Sequence, residues 1–162
     1  MKKENKCIVM MVITLFVLGF GQRVYSHCQI PCGIFDDPMR FNMIAEDITT
    51  IEKSMTEIIA LGKEKPVNYN QLVRWIINKD SHADELNEIL TYYFMAQRLH
   101  PVAKTEKKEY EVYNEQLELL HQMLVASMKC KQTTDMVHVV SLRNLSKKFE
   151  VAYFAYLSAH QK

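Results

Sequence analysis

Interruptions are scarce in this chain. Only four of its 162 residues are glycine and four are proline, and beyond residue 35 these reduce to Pro38, Gly62, Pro66 and Pro101. They punctuate long uninterrupted segments and leave no room for a fold of many tight turns. No stretch alternates apolar and polar residues as a half-buried strand does, so a sheet is not expected. An excess of charge of one sign is also missing: 20 basic residues face 19 acidic ones, which gives no electrostatic footprint for nucleic acid or an anionic membrane. There is no Gly-x-Ser-x-Gly elbow, no phosphate-binding loop and no carboxylate pair in an apolar setting, so hydrolase and kinase chemistry find no support. Cysteine is limited to Cys7, Cys28, Cys32 and Cys130.

The one long apolar run is itself short. It spans Cys7 to about Phe20, follows Lys2, Lys3 and Lys6, and gives way to a polar tail from Gln22 to Ser26. That is the layout of a secretory signal peptide, and the run falls short of the roughly 20 residues a spanning helix needs. Val24 and Ser26 supply the small residues of a cleavage site, which favours cleavage before His27 over an uncleaved anchor. Lipid attachment at Cys28 is disfavoured because His27 stands where a small residue is wanted. Residues 1–26 are therefore expected to leave as a signal, and the product to be exported, periplasmic or extracellular, with no membrane attachment afterwards. Loss of Lys2, Lys3, Lys6, Arg23 and Glu4 leaves 16 basic and 18 acidic residues in a mature chain long enough for one compact domain.

Four amphipathic segments follow. Asp36 or Asp37 with Pro38 makes a helix start, and Ile44, Ile48, Ile51, Met55, Ile58 and Ile59 recur at helical spacing until Gly62. Asn68 or Asn70 caps a second helix through Leu72, Ile76, Ala83, Leu86, Leu90, Tyr93 and Phe94 to about Leu99, with a break expected near Asp80 and Ser81. A third begins at Thr105 with Tyr110, Tyr113, Leu117, Leu120, Leu124 and Met128. A fourth begins at Thr134 with Val140, Leu145, Phe149, Ala152, Tyr153 and Tyr156. The expected fold is all-α, an antiparallel up-and-down four-helix bundle over residues 36–162, preceded by a metal-binding hook at 27–35.

The hook is where chemistry concentrates. Cleavage makes His27 the first residue, so a free amine, an imidazole and the thiols of Cys28 and Cys32 share one short segment. A disulfide is the plain alternative in an oxidising compartment, but a bridge closing so small a terminal loop constrains the unfolded chain little. The amine, with a reference pKa of about 7.7–8.0, and thiols near ~8.5 both lose protons to a metal at neutral pH. The amine of His27 and the amide nitrogen of Cys28 can chelate as a five-membered ring. With both thiolates they form a planar set of two nitrogens and two sulfurs, and the His27 imidazole can reach one axial position. Pro31 fixes the turn and Gly33 permits a tight exit. Such donors suit nickel, and leave zinc and copper as competitors.

HCQIPCGIF at 27–35 resembles the hook of the nickel superoxide dismutase family, His-Cys-x-x-Pro-Cys-Gly-x-Tyr at a processed N-terminus. DDPMRFNMIAEDITTIEKSM at 36–55, RWIINKDSHADEL at 74–86 and YYFMAQ at 92–97 are similar to the family's helical segments. The resemblance implies a homohexamer of four-helix bundles that converts superoxide and protons into dioxygen and hydrogen peroxide, with one nickel ion per subunit alternating between Ni(II) and Ni(III). It implies as ligands His27 through amine and imidazole, Cys28 through amide nitrogen and thiolate, and Cys32 through thiolate. Tyr93 matches a family tyrosine that lies near the hook and orders water or substrate.

The chain departs from the pattern around these ligands. Phe35 replaces a tyrosine that shields the open nickel face, while Ile44 and His82 stand where the best-known members carry the Glu and Arg that orient the histidine ligand. A metal-bound histidine usually has a partner on its second ring nitrogen, and His82 or a backbone carbonyl is the expected one. A solvated His82 is the plain alternative. Asp80, Asp84, Glu85 and Glu88 read as a solvated face, and Cys130 as a free thiol near a helix end. His100, His121, His138 and His160 lack the i,i+3 or i,i+4 partners of a bundle metal site. Two other functions share these features: an exported nickel or copper binding protein without catalysis, and a structural bundle with a terminal disulfide.

Overall fold

The computed structural model describes residues 36–160. The expected signal at 1–26 and hook at 27–35, with His27, Cys28, Cys32 and Phe35, lie outside the described residues. Within them the chain forms α1 (Asp37–Leu61), α2 (Tyr69–Glu88), a π-helical segment (Ile89–Arg98), α3 (Lys107–Gln132) and α4 (Met136–His160). Among the described residues no helix is long and apolar enough to cross a membrane.

The helix ends follow from local chemistry. The Asp36 carboxylate accepts the Met39 N–H, and Pro38 occupies the first turn, where its missing N–H costs nothing. At the other end of α1 the Gly62 N–H reaches Ile58 O. Asn68 caps α2 by accepting the Gln71 N–H. The expected break near Asp80 and Ser81 does not occur, because α2 runs through both residues. The irregularity comes later. Glu88 and Ile89 both keep helical dihedrals, so α2 passes directly into the π segment, whose end is marked by the Leu99 N–H reaching back to Phe94 O. Helices α3 and α4 begin at Lys107 and Met136 rather than at Thr105 and Thr134. The second of these starts is set by Asp135, whose carboxylate accepts the Val137 N–H.

Each helix packs on the next, and α4 returns to α1. Cross-helix bonds give the direction. Asp37 pairs with Tyr93, Asp47 with His82 and Ser54 with Asn78, so α1 and α2 are antiparallel. Lys79 with Cys130 and Ala83 with Ser127 make α2 and α3 antiparallel, and Asp37 with Tyr153 and Glu52 with Arg143 do so for α1 and α4. The expected up-and-down bundle is present.

The core stripes of α1, α2 and the π segment are largely those read from the sequence: Ile44, Ile48, Ile51 and Met55 cluster with Ala83, Leu86, Leu90 and Phe94. Ile76, counted in that stripe, is exposed. In α3 the buried row is Gln116, Leu119, Leu120, Met123, Ala126, Ser127 and Cys130, whereas Met128 is exposed. In α4, Val139 and Leu142 are buried and Val140 is exposed. The difference has a physical cause. Gln116 donates to Ala152 O at 3.2 Å and Ser127 to Ala83 O at 3.3 Å, so two polar side chains are satisfied inside the bundle and turn the face away from the purely apolar pattern.

Candidate functional site

Where the chain enters α1, the Asp37 carboxylate gathers three donors. Its Oδ1 accepts the Tyr93 hydroxyl at 2.5 Å and Arg98 Nε at 2.9 Å, while Oδ2 accepts the Tyr153 hydroxyl at 2.9 Å. The π segment supplies two of these groups. Its i→i+5 bonding places residues five apart as neighbours, and Arg98 donates through Nη2 to the Tyr93 hydroxyl at 2.7 Å. The Tyr93 ring is flanked by two guanidinium groups, Arg40 at 4.7 Å and Arg98 at 4.9 Å from its centroid. Below it lie Phe41, Phe94 and Phe149, with Phe94 edge-on to both Tyr93 and Phe149.

This setting fixes the protonation of both tyrosines. Burial, then the hydrogen bond to Asp37, pushes the Tyr93 phenol above its ordinary range, against the opposing pull of Arg98. The same two causes raise Tyr153 further. Both are phenols at neutral pH, each spending its proton on Asp37. Tyr93 is thus held in one orientation by a carboxylate and a guanidinium at once.

A second cluster lies further along α1 and α2. His82 Nδ1 is 2.8 Å from Asp47 Oδ1 and 3.9 Å from Glu85 Oε2. One potential ligand atom from each of the three lies within 4.8 Å of the others, the only such grouping of three His, Cys, Asp or Glu side chains found among the described residues. Asp47 is buried and Glu85 exposed. Burial raises the Asp47 carboxyl above its ordinary range, His82 opposes this, and Glu85 and Glu46 add to it.

Lys79 forms a third polar feature. It is 3% exposed and donates to Cys130 O at 2.7 Å and Lys131 O at 2.6 Å, so its ammonium satisfies two carbonyls at the end of α3. Cys130 itself is a buried free thiol, pushed up to about 11 chiefly by desolvation.

The sequence-based site residues are therefore distributed as follows. Tyr93 is at the entry to α1, bonded to Asp37 and Arg98, with Tyr153 sharing the Asp37 carboxylate; sequence reasoning missed these three residues because they come from three separate helical segments. His82 is not beside Tyr93; eleven positions separate them along one helical rod, and its observed partner is Asp47. Ile44 is fully buried in the core. Glu85, read as part of a solvated face, shares a cluster with His82, and the His82 to Glu85 spacing of i,i+3 was the available signal.

The model of the nickel-containing superoxide dismutase family matches residues 22–156, which takes in the whole of 27–35 and α1 to α3, with α4 as far as Tyr156. No curated protein and no solved structure matches the chain. With an all-helical bundle, a tyrosine fixed where the chain leaves 27–35, and a family match over most of its length, the chain belongs to the nickel-containing superoxide dismutase family.

Proposed function

We propose that the activity is carried by a hook that exists only after cleavage between Ser26 and His27, with His27, Cys28 and Cys32 as the nickel ligands. The family activity is the conversion of two superoxide radicals and two protons into dioxygen and hydrogen peroxide, with nickel as cofactor. Nothing observed favours metal binding without catalysis. The family match across residues 22–156 carries this reading, since it spans the proposed cleavage site, the donors and the bundle that holds them.

The donor chemistry fits. The amine of His27, the amide nitrogen of Cys28 and two thiolates form a set that favours a square-planar, redox-active ion. Cys130, the other thiol of the mature chain, is buried and pushed up to about 11, which makes it a poor metal ligand beside the two cysteines of the hook. Nickel bound there supplies the one-electron acceptor and donor of the two half-reactions.

The remaining residues hold and orient. Cys32 precedes Asp37 by five positions, so extended chain allows at most ~18 Å between their Cα atoms. Asp37 in turn holds the Tyr93 hydroxyl, which supports Tyr93 as the residue that orders water or superoxide beside the hook. The Tyr93 phenol is fixed in place by Asp37 and Arg98, which suits it to that ordering role. Phe35 shields the hook without a hydroxyl. His82 is tied to Asp47 through Nδ1 and stands eleven positions from Tyr93, which leaves a backbone carbonyl as the partner for the second ring nitrogen of His27.

The protein in this reading is exported, periplasmic or extracellular, and assembles as a homohexamer. Exposed apolar side chains at Tyr69, Val73, Ile77 and Val151 support subunit contacts. The test is to purify the mature chain beginning at His27 and to measure nickel per subunit, oligomer mass and superoxide dismutation, beside a variant carrying Cys28→Ser and Cys32→Ser. One nickel and activity in the first, and neither in the second, are expected. Activity in the double variant would overturn the ligand assignment.

A further inference from the structure

We infer that Asp47, His82 and Glu85 form a second divalent transition-metal site, separate from the hook, made of one imidazole nitrogen and two carboxylate oxygens. The three residues come from facing turns of α1 and α2, and the bundle holds two of them: Asp47 is buried and His82 half-buried. The ligand atoms are close to what an ion needs. Ligands on a four-coordinate ion with bonds of about 2.0–2.2 Å stand roughly 3.4 Å apart. His82 Nδ1 lies 2.8 Å from Asp47 Oδ1 and 3.9 Å from Glu85 Oε2, so these two separations change by about half an ångström, and all three atoms already lie within 4.8 Å of one another. Glu85 is 63% exposed at its side chain and supplies the mobile ligand; its solvent-facing side leaves positions for water.

The electrostatics point the same way. A single Nδ1 proton serves one carboxylate, and Glu85 at 3.9 Å is beyond hydrogen-bond reach. Of the charged groups acting on the Asp47 carboxyl, only His82 favours its ionised form, and Glu85 and Glu46 oppose it. No lysine or arginine is among them. Two carboxylates converging on one imidazole nitrogen without a fixed cation make a local negative potential that a bound cation neutralises. The imidazole selects a borderline ion such as Zn²⁺, Co²⁺ or Ni²⁺ over Mg²⁺ or Ca²⁺.

The experiment uses the full mature chain, nickel-loaded, dialysed against Co²⁺ or Zn²⁺, with metal per chain measured by elemental analysis and affinity by calorimetry. The expected result is one bound ion beyond the hook nickel. That ion is retained in the Cys28→Ser, Cys32→Ser variant, shows no thiolate-to-cobalt charge-transfer band, and binds at least ~10-fold more weakly in Glu85→Gln. Glu85 is exposed and contributes little to the fold, so this variant remains folded; His82→Gln is expected to abolish the site. The proposal is overturned if saturating Zn²⁺ adds no ion beyond that held by the cysteines, or if Glu85→Gln and His82→Gln bind it as tightly as the parent chain. Failure of the hook assignment gives a different pattern: the ion sensitive to Glu85→Gln persists while nickel is absent from both the parent and the cysteine variant.

Discussion

Replacing Asp37 with Asn tests the link between the bundle and the segment that precedes it. The carboxylate accepts from Tyr93, Arg98 and Tyr153, and its side chain is 18% exposed. An Asn amide has one acceptor oxygen and a donor NH2, so one tyrosine hydroxyl is left facing a donor, and Arg98 loses its counter-charge. Hydrogen bonds to a charged partner contribute about 1.5–3 kcal/mol each, and Asn keeps part of one or two, so the expected loss is about 3 kcal/mol. For a domain of this length that is a decrease of roughly 10 °C in Tm and a large share of a total near 5–15 kcal/mol. Urea denaturation and calorimetry of parent, Asp37→Asn, Tyr153→Phe and the double variant check it. Tyr153→Phe alone is expected to cost ~1 kcal/mol, and the cycle to show coupling of about 1 kcal/mol or more. A loss under ~0.5 kcal/mol for Asp37→Asn, or strict additivity in the cycle, would refute the reasoning that Asp37 is the shared acceptor of this end of the bundle.

Lys79→Met is expected to destabilise the bundle by about 3 kcal/mol, because the Cys130 and Lys131 carbonyls lose a charged donor inside the protein; equilibrium denaturation measures it. Tyr93→Phe is expected to lower superoxide turnover several-fold and stability by ~1–2 kcal/mol with nickel per subunit unchanged, read by stopped-flow kinetics, denaturation and metal analysis. The Cys130 thiol titrates higher folded than unfolded, so between its ordinary value and about 11 the folded state holds the extra proton. Its contribution is intact below that window and lost as pH rises through it, by up to about 2–3 kcal/mol, and a Cys130→Ala variant should lack this alkaline slope in denaturation measurements. The same thiol should resist alkylation at pH 8 until the chain unfolds, as followed by mass spectrometry.

Helix number, caps and order were legible because each depends on neighbours in sequence. Asp36 with Pro38 begins α1, Gly62 ends it, Asn68 begins α2, and a four-residue apolar stripe from Ile44 to Met55 fixes the face of α1. The reading failed where the decisive partner is remote. Gln116 and Ser127 belong to the core because Ala152 and Ala83 offer carbonyls there, and no local pattern announces that. Lys79 is buried because the carbonyls of α3 supply two acceptors, and nothing in its sequence neighbourhood announces them. The break expected near Asp80 and Ser81 is absent; the irregular turn instead falls at Ile89–Arg98, an apolar stretch without glycine or proline. Of the site, Tyr93 was legible by resemblance, whereas Asp37, Arg98 and Tyr153 required the antiparallel register that brings three helical segments to one carboxylate.

The central claim is that the first residue of the mature chain is itself a ligand. The direct measurement compares mature protein beginning at His27 with the same protein carrying one added alanine before it, both exposed to nickel and assayed for superoxide dismutation and nickel content. The account predicts one nickel per subunit and rapid dismutation for the first, and loss of activity for the second. Equal nickel content and equal activity in the extended protein would contradict it.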